Sequence, residues 1–287
     1  MQQRQLGAHG PHISAIGIGA MSFSDFYGAT SEAESHAILT AALDQGVTHI
    51  DTADVYGDGT SETVIGTFLQ QQGHRKNQLF SIATKAGIAT DKDTGKRYFD
   101  NSPAYLQQSV DRSLARLGLD YIDLFYVHRR DADTPIEEVT ETLAAIVKSG
   151  KIGGFGFSEI APTSLRQAAA IHHVTAVQSM AWLQQNPRFT AENLSANIAA
   201  TNEFRAFAAA KGCSAAALAI AWILHQSPHI IPIPGTRSVT HFQQHCAGAR
   251  LTLTDADIRH IGELLPVGWA HGDRYSTAQW VGPEKYC

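Results

Sequence analysis

The segment SEAESHAILTAALDQGVTHIDTADVYG, which spans residues 31–57, contains the unit that decides the class of fold. Ser31 followed by Glu34 matches a capping box, the pattern that starts a helix, and Gly46 stands where a helix C-cap is expected. Residues 47–52 then have the character of a β-strand. One amphipathic helix therefore leads directly into one strand.

The end of this strand is acidic and phenolic, with Asp51 followed by Asp54 and Tyr56. A strand that only has to be buried stays apolar, so these polar groups need another explanation. One explanation is structural, because an acid before a helix is commonly a helix cap and a tyrosine can be a half-buried aromatic. The other is a functional site at the end of the strand.

The same alternation of short apolar runs and longer amphipathic runs continues along the chain. It indicates a parallel sheet covered by helices, and its persistence to the C-terminal part favours a closed α/β barrel of the TIM type over a doubly wound sheet. The run GIGAMSF, residues 17–23, lacks the third glycine of a dinucleotide-binding fingerprint. Because no Pro/Gly/Ser linker divides the chain, we interpret residues 1–287 as one domain. The predicted strands are residues 13–19, 47–52, 79–84, 121–127, 153–158, 175–180 and 229–234.

The composition excludes several functional classes. The 287 residues are 44% hydrophobic with a formal net charge of -5 and no basic block, which argues against nucleic-acid binding. No signal peptide and no membrane-spanning run is evident, so we expect a cytoplasmic protein without a membrane partner. Cys213, Cys246 and Cys287 are widely spaced, which is typical of reduced thiols and not of a metal site.

In a β/α barrel the chemistry lies at the carboxyl ends of the strands. Each candidate there also has an ordinary structural explanation, such as a helix cap, a solvated loop lysine or a buried core histidine. Together, however, they place an acid, a phenol, an ammonium and an imidazole at the ends of three consecutive strands. The polar residues at predicted strand ends are Asp51, Tyr56, Lys85, His128, Ser158, Glu159 and Gln178.

Four of these residues suit acid–base chemistry on a carbonyl group. A free tyrosine titrates near ~10, so Tyr56 needs a stabilised phenolate if it is to donate a proton. An ammonium held by a carboxylate supplies that stabilisation, and a histidine can polarise the carbonyl oxygen. The set contains no nucleophile and no convincing metal ligands. Reduction of a carbonyl then requires a bound hydride carrier, because no side chain supplies hydride.

The motifs HIDTADVYG, IATKAG, DLFYVHRRD, GFGFSE, AVQS and IPIPGTRS occur in an order and spacing that resembles the aldo-keto reductase family, over most of residues 5–265. This resemblance implies a TIM-type barrel that uses NADP(H) to reduce aldehydes or ketones, or to oxidise alcohols in reverse. It also implies that Tyr56 is the general acid and that Lys85, paired with Asp51, lowers the pKa of Tyr56. His128 then orients the carbonyl.

The resemblance further implies a cofactor site. Ser158 and Gln178 match positions that hold the nicotinamide carboxamide, and Glu159 stands where the family has asparagine. An arginine in the last loop suits the adenosine 2′-phosphate, although GTRS by itself is also an ordinary turn with a capping serine. The remaining residues implied for cofactor binding are Gly19, Ala20, Met21, Gly235, Thr236, Arg237, Ser238 and His241.

The family pattern breaks after TAVQSM, residues 175–180. A helix and the seventh strand are missing by this comparison, a loss on the order of 40 to 50 residues, or about one βα unit. The position that stacks on the nicotinamide falls at Ala181, next to Trp182. We therefore expect weakened cofactor binding, and a catalytically weakened relic or a small-molecule-binding protein is the alternative hypothesis. The substrate and the oligomeric state stay open, and residues 87–102 and the C-terminal tail are expected to overhang the mouth.

Overall fold

A computed structural model of the chain describes residues 1–91, 93–179, 186–277, 280 and 282–284. The strands in this part of the chain are β1 (Gln3–Gln5), β2 (His12–Ser14), β3 (Ile18–Gly19), β4 (His49–Asp51), β5 (Ser81–Ala86), β6 (Ile88–Thr90), β7 (Arg97–Phe99), β8 (Leu124–Val127), β9 (Phe155–Ser158) and β10 (Ala176–Gln178). The helices are α1 (Glu32–Gln45), α2 (Thr60–Gln71), α3 (Pro103–Leu117), α4 (Ile136–Lys148), α5 (Pro162–Ile171), α6 (Ala191–Ala210), α7 (Ala215–Gln226), α8 (Val239–Gly248) and α9 (Asp255–Leu264).

The unit α1–β4 has the boundaries that its local sequence signals predict. The Ser31 side chain accepts a hydrogen bond from the Glu34 N–H, and the Glu34 carboxylate accepts one from the Ser31 N–H at 2.8 Å. Gly46 ends the helix in the left-handed region, with a φ of 71°. The capping box and the glycine C-cap are thus confirmed.

Six strands form one parallel sheet in the order β3, β4, β5, β8, β9 and β10. Each neighbouring pair in this sheet is parallel, and the order follows the chain, as repeated β/α units require. The antiparallel pairs β1–β2 and β6–β7 lie outside it. Apolar side chains of the sheet, including Ile50, Ile82, Phe125 and Phe157, are buried in one large cluster. The predicted parallel, helix-covered architecture is confirmed for these six strands.

The last predicted strand, residues 229–234, is not a regular strand. It does lie beside β3, because Gly17 N–H donates to the Pro232 carbonyl at 2.8 Å and Gly19 N–H donates to the Pro234 carbonyl at 3.1 Å. Both prolines lack an N–H group, so this segment can accept from β3 but cannot complete a ladder. The position of the segment agrees with a barrel, and its irregular backbone follows from its prolines.

The wall between β10 and residues 229–234 is open. In the described residues no backbone hydrogen bond joins these two segments, and a cavity of about 1270 Å³ lies between them. The β1–β2 hairpin crosses one end of the opening, where the Arg4 guanidinium donates to the Leu224 carbonyl at 2.7 Å and Gly7 lies against Thr175. We predicted a closed barrel. The described residues instead form an incomplete barrel, in which residues 229–234 lie beside β3 and a gap separates them from β10.

Within the described residues, no single helix has both the length and the apolar composition needed to cross a membrane, although α6 and α7 satisfy the criterion as a pair bent by 92°. Cys213 and Cys246 form no disulfide. Cys287, like Ala181 and Trp182, lies outside the described residues.

Candidate active site

The four predicted catalytic residues lie at one end of three adjacent strands. Asp51 is the last residue of β4, Lys85 lies near the end of β5, and His128 follows β8. The strand register pairs Asp51 with Ala83 and Lys85 with Tyr126, which brings these ends together. Tyr56 lies in the turn that follows β4.

Lys85 and Asp51 form a buried ion pair. The Lys85 Nζ contacts Asp51 Oδ1 and also donates to the Thr52 carbonyl at 2.7 Å, while the lysine side chain has no solvent exposure. Burial lowers the pKa of Lys85, and the charge of Asp51 opposes that shift. Because either charge alone is costly in this position, the two residues stabilise each other.

Tyr56 lies against this pair and against His128. The Lys85 Nζ is 5.4 Å from the centre of the Tyr56 ring, and the Tyr56 and His128 rings lie edge to face with centres 5.7 Å apart. The turn that carries Tyr56 continues through Gly57, whose φ is 62°. A Cβ at Gly57 would lie 2.7 Å from the Ser24 Cβ, so glycine is required here.

The electrostatic setting favours the neutral forms of Tyr56 and His128. Burial, and next the charge of Asp51, raises the pKa of Tyr56 above its ordinary value, while the charge of Arg129 opposes this shift. Burial lowers the pKa of His128 well below its ordinary value, and the charges of Arg129, Lys85 and Arg97 lower it further. We expected Lys85 to lower the pKa of Tyr56, whereas here the pKa is raised and the opposing cation is Arg129. A protonated phenol and a neutral imidazole thus face the same region.

A second acidic cluster lies behind the turn. Asp54 is not the cap of α2, whose N-cap is Gly59. Burial, followed by the charge of Glu62, raises the pKa of Asp54 to about 7. The Glu62 carboxylate accepts hydrogen bonds from Thr84 at 2.5 Å and from Arg116 at 2.6 Å. This cluster connects α2 to β5 and contributes no group to the four-residue site.

The ends of β9 and β10 meet beside this site. Ser158 and Gln178 are buried, and the Glu159 N–H donates to the Gln178 carbonyl at 2.9 Å. The Gln178 Oε1 is a buried acceptor without a hydrogen-bond partner in the described part of the chain. Glu159 has a φ of 57°, and its carboxylate contacts the Arg274 guanidinium.

The other predicted cofactor residues lie where the first and last segments of the barrel meet. Gly19, Ala20 and Met21 end β3 and begin a tight turn. Ser22 Oγ donates to the Thr236 carbonyl at 2.9 Å, which joins the two loops. Gly235 packs against Gly19.

The last loop continues into α8. The Ser238 side chain caps this helix by accepting from the His241 N–H at 3.4 Å. The Arg237 guanidinium reaches across to the loop after β3 and donates to the Ala29 carbonyl at 2.7 Å. The capping serine confirms the ordinary structural explanation of GTRS, and it leaves the arginine beside the loop that follows the first strand.

The C-terminal tail crosses the ends of the strands. The Glu284 N–H donates to the Glu159 carbonyl at 2.8 Å, and the Glu284 carboxylate lies 3.7 Å from Arg130. Gly282 packs against Phe99 of the β6–β7 hairpin and against Arg129. Residues 87–102 and the tail thus meet above the site, as the sequence predicted.

Arg129 is a residue of this site that the sequence reasoning missed. It is 7% exposed, and its Nη1 donates to the His128 carbonyl at 2.7 Å and to Ser158 Oγ at 3.1 Å. The available signal was its place in VHRRD, directly after the predicted strand-end histidine.

The large cavity on the open side also reaches this region. Its lining includes Asp51, Gln178, His49 and Tyr126. The cavity therefore reaches Asp51 of the ion pair from the space between the sheet and residues 229–234. In the described residues, no group of three or more His, Cys, Asp or Glu side chains is arranged to hold a metal ion. The described groups therefore offer a proton donor, a neutral imidazole and a buried ion pair.

Comparison with known proteins agrees with this geometry. The model of the Aldo/keto reductase family matches residues 15–185 and 174–266. An aldo-keto reductase named yakc, with NADP(+) in its name, from Schizosaccharomyces pombe is 32% identical over 313 residues, covering 92% of this chain and 92% of the relative. A probable aldo-keto reductase 1 from Glycine max is 32% identical over 323 residues, covering 96% of this chain and 92% of the relative.

Solved structures show the same fold. The glycerol dehydrogenase AKR11B4 from Gluconobacter oxydans superposes with a TM-score of 0.80 at 23% identity, covering 92% of this chain and 94% of that one. The aldo-keto reductase AKR11C1 from Bacillus halodurans, in its holo form, gives a TM-score of 0.73 at 23% identity, covering 97% and 99%. With the family model matching most of its length, the chain belongs to the aldo/keto reductase family of oxidoreductases.

Proposed function

We propose that this protein is an NADP(H)-dependent oxidoreductase that reduces aldehyde or ketone carbonyls to alcohols, reversibly. The observation that carries the proposal is the buried Lys85–Asp51 pair, which lies beside Tyr56 and His128 on adjacent strand ends. The NADP(+) in the name of the Schizosaccharomyces pombe relative supports the choice of cofactor. The partner is a small carbonyl or alcohol, and the chain works as one barrel domain.

The roles of the four residues follow from their charges. Tyr56 gives its proton to the substrate oxygen as that oxygen gains negative charge, and takes the proton back in the reverse direction. Lys85, held by Asp51, stabilises the phenolate that this transfer creates. His128 is neutral, so it orients the carbonyl as a hydrogen-bond donor without competing as an acid. NADPH supplies the hydride when it is bound.

The described residues fit the cofactor at both of its ends. The Gln178 Oε1, a buried acceptor with no partner in the described chain, suits an N–H of the nicotinamide carboxamide, and Ser158 lies opposite Gln178 in the register of β9 and β10. Glu159 aligns Gln178 through its backbone N–H while its carboxylate contacts Arg274. Arg237 suits the adenosine 2′-phosphate. The other residues proposed to line the cofactor are Gly19, Ala20, Met21, Gly235, Thr236, Ser238 and His241.

The chain is also proposed to lack one βα unit of the family barrel. The open wall after β10 and its cavity support this proposal. The alignment with the Schizosaccharomyces pombe relative also supports it. That alignment runs over 313 residues, whereas this chain has only 287, so the alignment must contain gaps in this chain. The expected consequence is weaker binding of the cofactor on the side of the opening.

The open wall also favours the second candidate function, a catalytically weakened relic or small-molecule-binding protein that no longer binds the cofactor tightly. Titration of the purified protein with NADPH, followed by intrinsic fluorescence and melting temperature, separates the two. We expect saturable binding, and turnover of a panel of aldehydes that falls by on the order of 100-fold or more in Tyr56→Phe. No response at millimolar NADPH, or equal turnover by wild type and Tyr56→Phe, refutes the enzyme.

A further inference from the structure

Arg129 is a buried cation without a counter-charge in direct contact. Arg129 is 7% exposed, and within the described part of the chain its guanidinium donates hydrogen bonds to two neutral groups, the His128 carbonyl and Ser158 Oγ. In the described residues no carboxylate lies within the 4.0 Å of a salt bridge from it. Burying a charge is costly unless the charge is paired, so an arginine in this setting suits an anionic ligand.

The surroundings of Arg129 carry an excess of positive charge. Burial lowers the pKa of Arg129, and the charge of Glu159 opposes that shift, but the Glu159 carboxylate contacts Arg274. The Glu159 carboxylate is thus already in contact with another guanidinium group. Arg97, on β7, is close enough to lower the pKa of His128 and adds a third positive charge. Asp51 does not compensate for this excess, since Lys85 already pairs with it.

We infer that Arg129 is the anchor for a carboxylate on the substrate, so that the preferred substrates are short carbonyl compounds that bear one carboxylate, such as 2-oxo acids and semialdehydes. This inference rests on the proposed function. A guanidinium binds a carboxylate through two parallel N–H groups, and one unpaired positive charge matches one carboxylate.

The position of Arg129 limits the size of the substrate. It is the residue next to His128, and its side chain folds back onto the His128 carbonyl and onto Ser158. A carbonyl oriented by His128 and a carboxylate bound by Arg129 therefore belong to a small molecule. A neutral carbonyl compound forms no ion pair with Arg129, whose positive charge then stays unpaired.

A purely structural role for Arg129 predicts something different. If the side chain only connects His128 to Ser158, its removal destabilises the protein and slows all substrates equally. If it is an anion anchor, Arg129→Gln removes an unpaired buried charge, so the melting temperature without ligand stays unchanged or rises. The two roles are thus separable by stability as well as by substrate.

The first test measures binding and needs no turnover. Benzoate and benzamide have the same shape and differ in charge, and calorimetric titration compares them on wild type, Arg129→Gln, Arg129→Lys and Arg166→Gln. Arg166 lies on α5 with an exposed side chain and serves as the matched charge control. We expect benzoate to bind more tightly than benzamide by on the order of tenfold to a hundredfold, a preference lost in Arg129→Gln, partly kept in Arg129→Lys and unchanged in Arg166→Gln.

The second test uses succinic semialdehyde and butanal with NADPH. Because Arg129 also contacts His128 and Ser158, both aldehydes can lose turnover in Arg129→Gln. We expect the loss in kcat/KM to be larger for the semialdehyde than for butanal by on the order of tenfold or more. The anchor role is refuted if Arg129→Gln lowers kcat/KM equally for both aldehydes. It is also refuted if wild type binds benzoate no more tightly than benzamide. If neither aldehyde turns over but benzoate binding depends on Arg129, the proposed oxidoreductase function fails while the carboxylate site stands.

Discussion

The Nζ of Lys85 contacts Oδ1 of Asp51, and the same nitrogen lies 5.4 Å from the centre of the Tyr56 ring. The ion pair therefore places a fixed positive charge next to the phenol without exposing that charge to water. Burial, and next the charge of Asp51, raises the pKa of Tyr56 and makes the phenol a poor acid. In the proposed reaction the ammonium acts when the proton leaves, because its positive charge then lies close to a negatively charged phenolate.

Replacing one residue of the Lys85–Asp51 pair should lower the free energy of unfolding by more than replacing both residues. Lys85→Met leaves a buried, unpaired carboxylate, and we expect a loss of about 3–5 kcal/mol in the free energy of unfolding. The double variant Lys85→Met with Asp51→Asn should recover most of this loss while remaining inactive. Urea denaturation of wild type, Lys85→Met, Asp51→Asn and the double variant measures the coupling, and additive losses would show that the two charges do not depend on each other.

Asp54 should make the protein less stable as the pH rises. Its pKa is about 7 in the folded state and 3.8 in the reference state, so between these values the folded protein binds a proton that the unfolded chain has released. The free energy of unfolding therefore falls between about pH 4 and pH 7, by at most about 4 kcal/mol. Asp54→Asn should be more stable than wild type at pH 8 and should lose this slope. Urea midpoints at pH 5 and pH 8 check both points, and parallel pH profiles for the two proteins would contradict the assignment.

We expect Arg274 to contribute to stability and to NADPH binding, because it contacts the buried carboxylate of Glu159. Arg274→Met leaves the Glu159 carboxylate without its guanidinium, and we expect a loss of about 1–3 kcal/mol in the free energy of unfolding together with weaker NADPH binding. Adding Glu159→Gln should restore both properties, since a neutral amide needs no counter-charge. Fluorescence titration and thermal melting follow the two effects. Failure of the double variant to recover would mean that Arg274 acts through other contacts of the tail.

Gly57 should be intolerant of a side chain for a reason that Gly95 does not share. Both residues are in the left-handed region, with φ values of 62° and 67°. A Cβ at Gly57 meets Ser24 at 2.7 Å, while a Cβ at Gly95 meets no described residue beyond its chain neighbours within 4 Å. Each alanine variant should lose about 1–2 kcal/mol from the backbone conformation. Only Gly57→Ala should also displace Tyr56 and lower kcat, on the order of tenfold to a hundredfold. Comparable kcat values for the two variants would argue against the role of this turn.

The local signals of the chain determined most of the β/α order. The capping box at Ser31, the glycine at residue 46 and the alternation of apolar runs depend on neighbours within a few residues, so they can be read without coordinates. The sequence also predicted the four candidate catalytic residues. Parallel strands place their carboxyl ends on one side of the sheet, so the residue types at those ends can be compared directly.

Only the tertiary structure decided how these parts pair and where the barrel stays open. Pro232 and Pro234 lie beside β3 without forming a ladder, and β10 keeps an edge without a neighbouring strand in the described chain. The contact of Glu159 with Arg274, and the burial of Arg129 against Ser158, join residues far apart in sequence. Such contacts depend on strand register and on exclusion of water. Periodicity and caps carry no information about either, because both arise only when distant segments pack together.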